Sequence, residues 1–72
     1  MKNIELRKTN ITDCGYIITK VVVLKPTEKG TTKVTTGSID GSVEWKDHEL
    51  RMDIYDVANC FIAEGYRLYH VE

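Results

Sequence analysis

The sequence predicts a single small α+β domain, an antiparallel β-sheet of four to five strands with one α-helix packed on one face, in the order β-β-β-(β)-α-β. Three observations predict it. Segments that alternate apolar with polar residues, or are rich in Val, Ile, Thr and Tyr, recur between turns containing Gly, Asn and Asp. Only around residues 53–64 do the apolar residues fall three and four apart. And 72 residues suffice for one domain, with no linker, repeat or low-complexity tract to divide residues 1–72.

Taken in order, Ile4 and Leu6 alternate with charged neighbours, which gives a strand over residues 2–8 with one buried face. Residues 10–15 hold the turn formers Asn10, Asp13 and Gly15. Residues 16–24 are aromatic and β-branched, and both of their faces (Tyr16, Ile18, Val22, Leu24; Ile17, Val21, Val23) are largely apolar. Such a strand is central and covered on both sides, or its outer face meets a partner. Pro26 ends it, because proline cannot donate to the ladder. Residues 25–30 make a hairpin connection. Residues 31–39 form a polar strand expected near the sheet edge, and Asp40-Gly41 marks a tight turn. Val43 and Trp45 suggest a short further strand. Leu50, Met52 and Ile54 have strand spacing, whereas Ile54, Val57, Ala58, Phe61 and Ile62 have helix spacing. The caps decide for a helix over residues 53–64: Asp53 suits the N-cap, Asp56 the positive helix end and Gly65 the C′ position. Residues 49–52 are then its lead-in, or a strand paired with residues 43–45. Residues 66–71 close the chain as a strand, with Leu68 and Val71 on opposite faces, so that one of them points at the helix.

Size and composition bound the function. With 42% hydrophobic and 29% charged residues the chain is a folded globular one. At this size only about 60% of the unfolded surface is buried, and the core supplies a few kcal/mol. A deep substrate cavity would be costly, so the expectation is a binding surface and not an enzyme. The longest apolar run, residues 21–24, is far short of the ~20 residues that span a bilayer, and residues 2–8 lack the continuous apolar stretch of a secretory signal. A cytoplasmic protein without membrane contact is expected. Asn10-Ile11-Thr12 matches a glycosylation sequon, which carries no weight without export.

No residue set reads as catalytic, and neither a metal nor a cofactor is expected. Cys14, His48, Cys60 and His70 lack the two- to five-residue pairing of structural zinc sites. His48 reads as a solvated turn residue, His70 as a strand residue facing water, Cys14 as lying beside a turn and Cys60 as a small buried helix residue with an inert thiol. The carboxylate pairs Glu44/Glu49 and Asp53/Asp56 are explained by a hairpin and a helix N-terminus. Residues 37–41 contain two glycines but neither phosphate-loop spacing nor a Gly-Lys-Ser/Thr ending.

The charge distribution is the most informative functional feature. In residues 1–36 Lys2, Arg7, Lys8, Lys20, Lys25, Lys29 and Lys33 outnumber Glu5, Asp13 and Glu28, whereas residues 37–72 are net acidic. Asp40, Glu44, Asp47, Glu49, Asp53 and Asp56 cluster in sequence around Trp45. On one face they would present a field like that of a phosphate backbone, with Trp45 as the aromatic anchor for a protein partner. The leading expectation is therefore a non-enzymatic protein-binding module. In size and charge-split style the chain is similar to small accessory proteins of bacteriophages and mobile elements, which implies an inhibitor of a host nucleic-acid-processing or defence enzyme. A second reading is nucleic-acid binding by the hairpin lysines Lys20, Lys25, Lys29 and Lys33, with Tyr16 nearby. Against it stand a pI of about 6.1 and a hairpin without arginine. A third is a structural homo-oligomer, a homodimer for example, paired through an exposed edge strand or the second apolar face of residues 16–24.

Overall fold

The computed structural model describes residues 2–72. Its elements are β1 (Ile4–Ile11), β2 (Ile17–Pro26), β3 (Thr32–Ser38), β4 (Lys46–Leu50), α1 (Ile54–Ala63) and β5 (Arg67–Val71). The strands form one five-stranded antiparallel sheet in the order β4-β3-β2-β1-β5. β1 to β4 are a meander of successive neighbours. The chain then crosses one face of the sheet as α1 and returns as β5 along the opposite edge, beside β1.

The register explains where the core lies. Ile4 pairs with Leu24, Leu6 with Val22, and Leu24 with Val34. Because alternate residues of a strand face the same side, these five project together toward α1. They meet Ile54, Val57 and Ala58 of the helix, with Phe61 and Tyr66 packed against the cluster. Thr32 is buried at the margin of this layer, and its hydroxyl donates to the Met52 carbonyl at 2.8 Å, which fixes the approach to the helix.

The helix begins and ends for local reasons. The Asp53 carboxylate accepts from the Tyr55 amide at 3.1 Å. At the other end Gly65 adopts φ +104°, a left-handed conformation that favours glycine. The Gly65 amide donates to the Ile62 carbonyl and the Tyr66 amide to the Phe61 carbonyl, both at 3.0 Å. This is the Schellman pattern, completed by edge-on packing of Phe61 on Tyr66 with ring centres 5.3 Å apart. The last turn of α1 has no basic residue of its own. Lys8 of β1 supplies the charge instead, donating from Nζ to the Glu64 carbonyl at 2.8 Å.

The polar strand β3, expected near the sheet edge, lies next to the edge strand β4, which pairs along its outer side. Four expectations are corrected here. The extra strand is residues 46–50 and not 43–45, and Met52 lies beyond it. Cys60 is exposed; at 100° per residue it stands roughly 110° from the middle of the buried helix stripe. Leu68 and Val71 do not face opposite sides. A bulge against Glu5 and Leu6 inserts an extra residue in β5, so Leu68 aligns with Leu6 and Val71 with Ile4, both on the helix side. Both stay substantially exposed at this edge. His48, expected in a turn, is an exposed residue of β4.

Candidate interaction surface

α1 covers one face of the sheet and leaves the other open. By the same alternation, the open face carries Glu5 and Arg7 from β1, Val21, Val23 and Lys25 from β2, Lys33, Thr35 and Gly37 from β3, and Asp47 and Glu49 from β4. From β5 it carries Arg67 and His70, which pair with Arg7 and Glu5.

Trp45 is seated on this face. It immediately precedes β4 and continues the alternation of Asp47 and Glu49. A β-carbon on Gly37 would collide with the indole atoms Cδ2, Cε3 and Cε2, so the ring lies directly over the glycine. Gly37 is extended and buried, and its cross-strand partner Val21 is only 5% exposed although it lies on the open side. The indole itself remains 50% exposed. A glycine inside a strand marks a close approach, and here the approaching group is the chain's single tryptophan.

The connection that delivers Trp45 is organised around Ser38 and Asp40. The Ser38 hydroxyl donates to the Asp40 carboxylate at 2.9 Å and accepts from the Val43 amide at 2.9 Å. The same carboxylate oxygen accepts from the Ser42 hydroxyl at 2.7 Å and the Ser42 amide at 3.0 Å. The Ser42 hydroxyl first, then the Ser42 amide and the Ser38 hydroxyl, hold the Asp40 carboxyl below the ordinary aspartate range. Its folded pKa is depressed, so its support for the loop is present above that range and is lost as pH falls through the lowered value. In an NMR titration the Ser42 amide is therefore expected to shift only below the ordinary range. A midpoint inside that range would contradict these hydrogen bonds.

The opposite edge of the open face is built on a different pairing. Arg7 Nε bonds Glu5 Oε2 at 2.7 Å, and its guanidinium carbon stands 3.5 Å from the centre of the Tyr69 ring. Tyr69 lies within the β5 bulge, which turns its ring onto the open face above Arg7. A groove beside it is lined by Thr9, Thr19, Ile39 and Arg67.

The predicted acidic residues are distributed over three places. Asp40 and Glu44 are in the β3–β4 connection. Asp47 and Glu49 share the open face with Trp45; Asp47 accepts from the Thr35 hydroxyl at 2.8 Å and Glu49 from the Thr31 hydroxyl at 3.1 Å. Asp53 and Asp56 serve the helix N-terminus. The hairpin lysines also separate. Lys25 and Lys33 are cross-strand partners on the open face, Lys20 pairs with Lys8 on the helix side, and Lys29 lies in the turn between β2 and β3. Arg7, Gly37, Arg67 and Tyr69 were not legible as site residues. The signal for Gly37 was its place inside a strand pattern; for the other three there was none without the register of β5.

Among the described residues, no three of His, Cys, Asp and Glu come together as metal ligands. No helix among them is long and apolar enough to cross a membrane. No family model, curated protein or solved structure matches this chain.

Proposed function

We propose that this chain is a non-enzymatic protein-binding module that docks through the open face of its sheet, with Trp45, Asp47 and Glu49 at one side and Tyr69 and Arg67 at the other. The observation that carries this reading is the half-exposed indole held flat over Gly37, on a face that no element of the described residues covers. Trp, Tyr and Arg are the residues that dominate binding hot spots, and all three stand on this face. Exposed Ile11, Ile17 and Ile39 extend its apolar area. Within its strands the face sets Arg7, Arg67, Lys25 and Lys33 against Glu5, Asp47 and Glu49, which is close to neutral. A near-neutral face with aromatic anchors suits a protein better than the polyanion that the lysine pattern suggested. An inhibitor acting through one acidic field would need all six acids together; only Asp47 and Glu49 of the six stand on the open face.

The test compares capture of proteins from a native lysate by the wild-type chain, Trp45→Ala and Asp56→Lys, each checked for folding by circular dichroism. A hot-spot tryptophan contributes at least ~2 kcal/mol, so Trp45→Ala should lower affinity for the captured protein by roughly 30-fold or more. Asp56→Lys, on the helix, should leave it unchanged. The reverse pattern would overturn the reading.

A further inference from the structure

We infer that Arg7 and Arg67 form an anion site on the open face, and that it takes the carboxylate of a glutamate or aspartate on an extended segment of the docked protein; this rests on the open face being the docking surface. The two arginines are direct cross-strand partners of β1 and β5, so they stand side by side on one face. Like charges in that position repel and weaken a sheet. The fold answers only part of this. Arg7 bonds Glu5 through Nε, and the far edge of its guanidinium, Nη1 and Nη2, meets no acceptor among the described residues. Arg67 is exposed, and its guanidinium makes no hydrogen bond or ion pair among them.

The other like-charge pairs of the sheet are relieved within the chain. Lys33, the partner of Lys25, has Glu49 on its other side. Lys8, the partner of Lys20, turns its ammonium to the Glu64 carbonyl at the end of α1. The arginine pair instead borders a groove of about 570 Å³.

That groove suits a carboxylate. Glu5 holds Arg7 at Nε, and the Tyr69 ring centre lies 3.5 Å from its guanidinium carbon. The free edge is therefore presented by a side chain already fixed, which lowers the ordering cost of binding. On the side away from Glu5 the next residue of the face is Thr9, whose hydroxyl is 3.4 Å from that of Thr19 on β2. Either hydroxyl can donate to an oxygen seated beside the guanidiniums. Planar guanidinium forks match a planar carboxylate with paired hydrogen bonds. Two arginines against Glu5 leave one positive charge, which one carboxylate neutralises. Lys8 also borders the groove, but its ammonium is committed to the helix C-terminus. A phosphate monoester would bring nearly two negative charges at neutral pH and leave an excess beside Glu5.

The site and the indole belong to one surface. The register aligns Gly37, which lies under Trp45, with Val21, Arg7 and Arg67. Three strand spacings, about 14 Å, separate the row's ends. An extended segment covers that span in about five residues. With its acid on the arginines, apolar residues two and four places away lie over Val21 and the indole.

The experiment is an NMR titration of the isotope-labelled chain, following backbone amides and arginine Nε–H signals. The probes are the acetylated and amidated peptide Leu-Ser-Val-Ser-Glu-Ser-Val-Ser-Leu, its counterpart with Gln for Glu, and inorganic phosphate. The Glu peptide should shift Arg7, Arg67, Thr9 and Thr19 saturably. The Gln peptide and phosphate should bind roughly tenfold more weakly or worse, as expected when charge-assisted hydrogen bonds are lost. Arg67→Gln should weaken the Glu peptide by a similar factor and remove most of the preference for Glu over Gln. The same variant should unfold in urea at no lower concentration than wild type, because Arg67 has no internal partner to lose; a structural role would lower it. Equal binding of the two peptides, tighter binding of phosphate, no saturable shift at either arginine, or a less stable Arg67→Gln chain would each overturn the site. Adding Arg67→Gln to the capture comparison above separates the two ideas. Capture lost by Trp45→Ala and kept by Arg67→Gln retains the docking face and removes only the carboxylate site.

Discussion

Leu24→Ala is expected to lower the free energy of unfolding by about 3 kcal/mol, within the roughly 2–5 kcal/mol range for large-to-small changes in a core. Leu24 is fully buried on the central strand β2, flanked in register by Ile4 and Val34, with α1 packed against the same layer. Both neighbours are held by sheet hydrogen bonds, so the site collapses little and most of the cavity persists. A 72-residue chain has a total stability of roughly 4–11 kcal/mol at typical values per residue. One such change therefore removes a large fraction of it. Urea unfolding followed by far-UV circular dichroism measures the loss; a change below about 1 kcal/mol would show that the helix-side layer is not the core that holds the sheet.

The second large effect concerns the seat of Trp45, and its sign depends on background. Gly37→Ala adds one methyl group where the indole lies, so the ring must leave. Overpacking of this kind costs typically 1–3 kcal/mol, and the emission of the single tryptophan should move to the red as the ring enters water. In a Trp45→Ala background the same substitution meets no obstacle. Gly37 is in extended strand conformation, where glycine is the weaker choice. There Gly37→Ala should be neutral or stabilising. This reversal is a coupling between touching residues, which a double-mutant cycle isolates. Additive effects, with unchanged emission in Gly37→Ala, would mean that the indole does not rest on Gly37.

The α+β fold and the helix were legible because their signals are local. The spacing of Ile54, Val57, Ala58 and Phe61, with Asp53 and Gly65 at the ends, is written in consecutive residues, and the structure places the caps at those positions. The central position of residues 17–24 was legible from two apolar faces. What depended on pairing was not. The bulge that brings Leu68 and Val71 to one side is a property of β5 against β1, two strands far apart in sequence. The placement of β3 inside the sheet depended on β4, whose charged and polar residues Lys46, Asp47, His48 and Glu49 give no apolar alternation to read. The acidic residues clustered in sequence, yet a loop, a strand and a helix start separate them in space. Trp45 was named among the binding residues, but the face it shares with Arg67 and Tyr69 exists only once β1 and β2 are laid between them.

Trp45 is expected to mark the surface that works. Acrylamide quenching of its fluorescence, followed as complex formation is driven by an added captured partner, tests this most directly. The predicted result is a readily quenched indole in the free chain that becomes protected in step with the mass of the complex. A complex that forms while quenching stays unchanged would place the contact elsewhere and contradict the account.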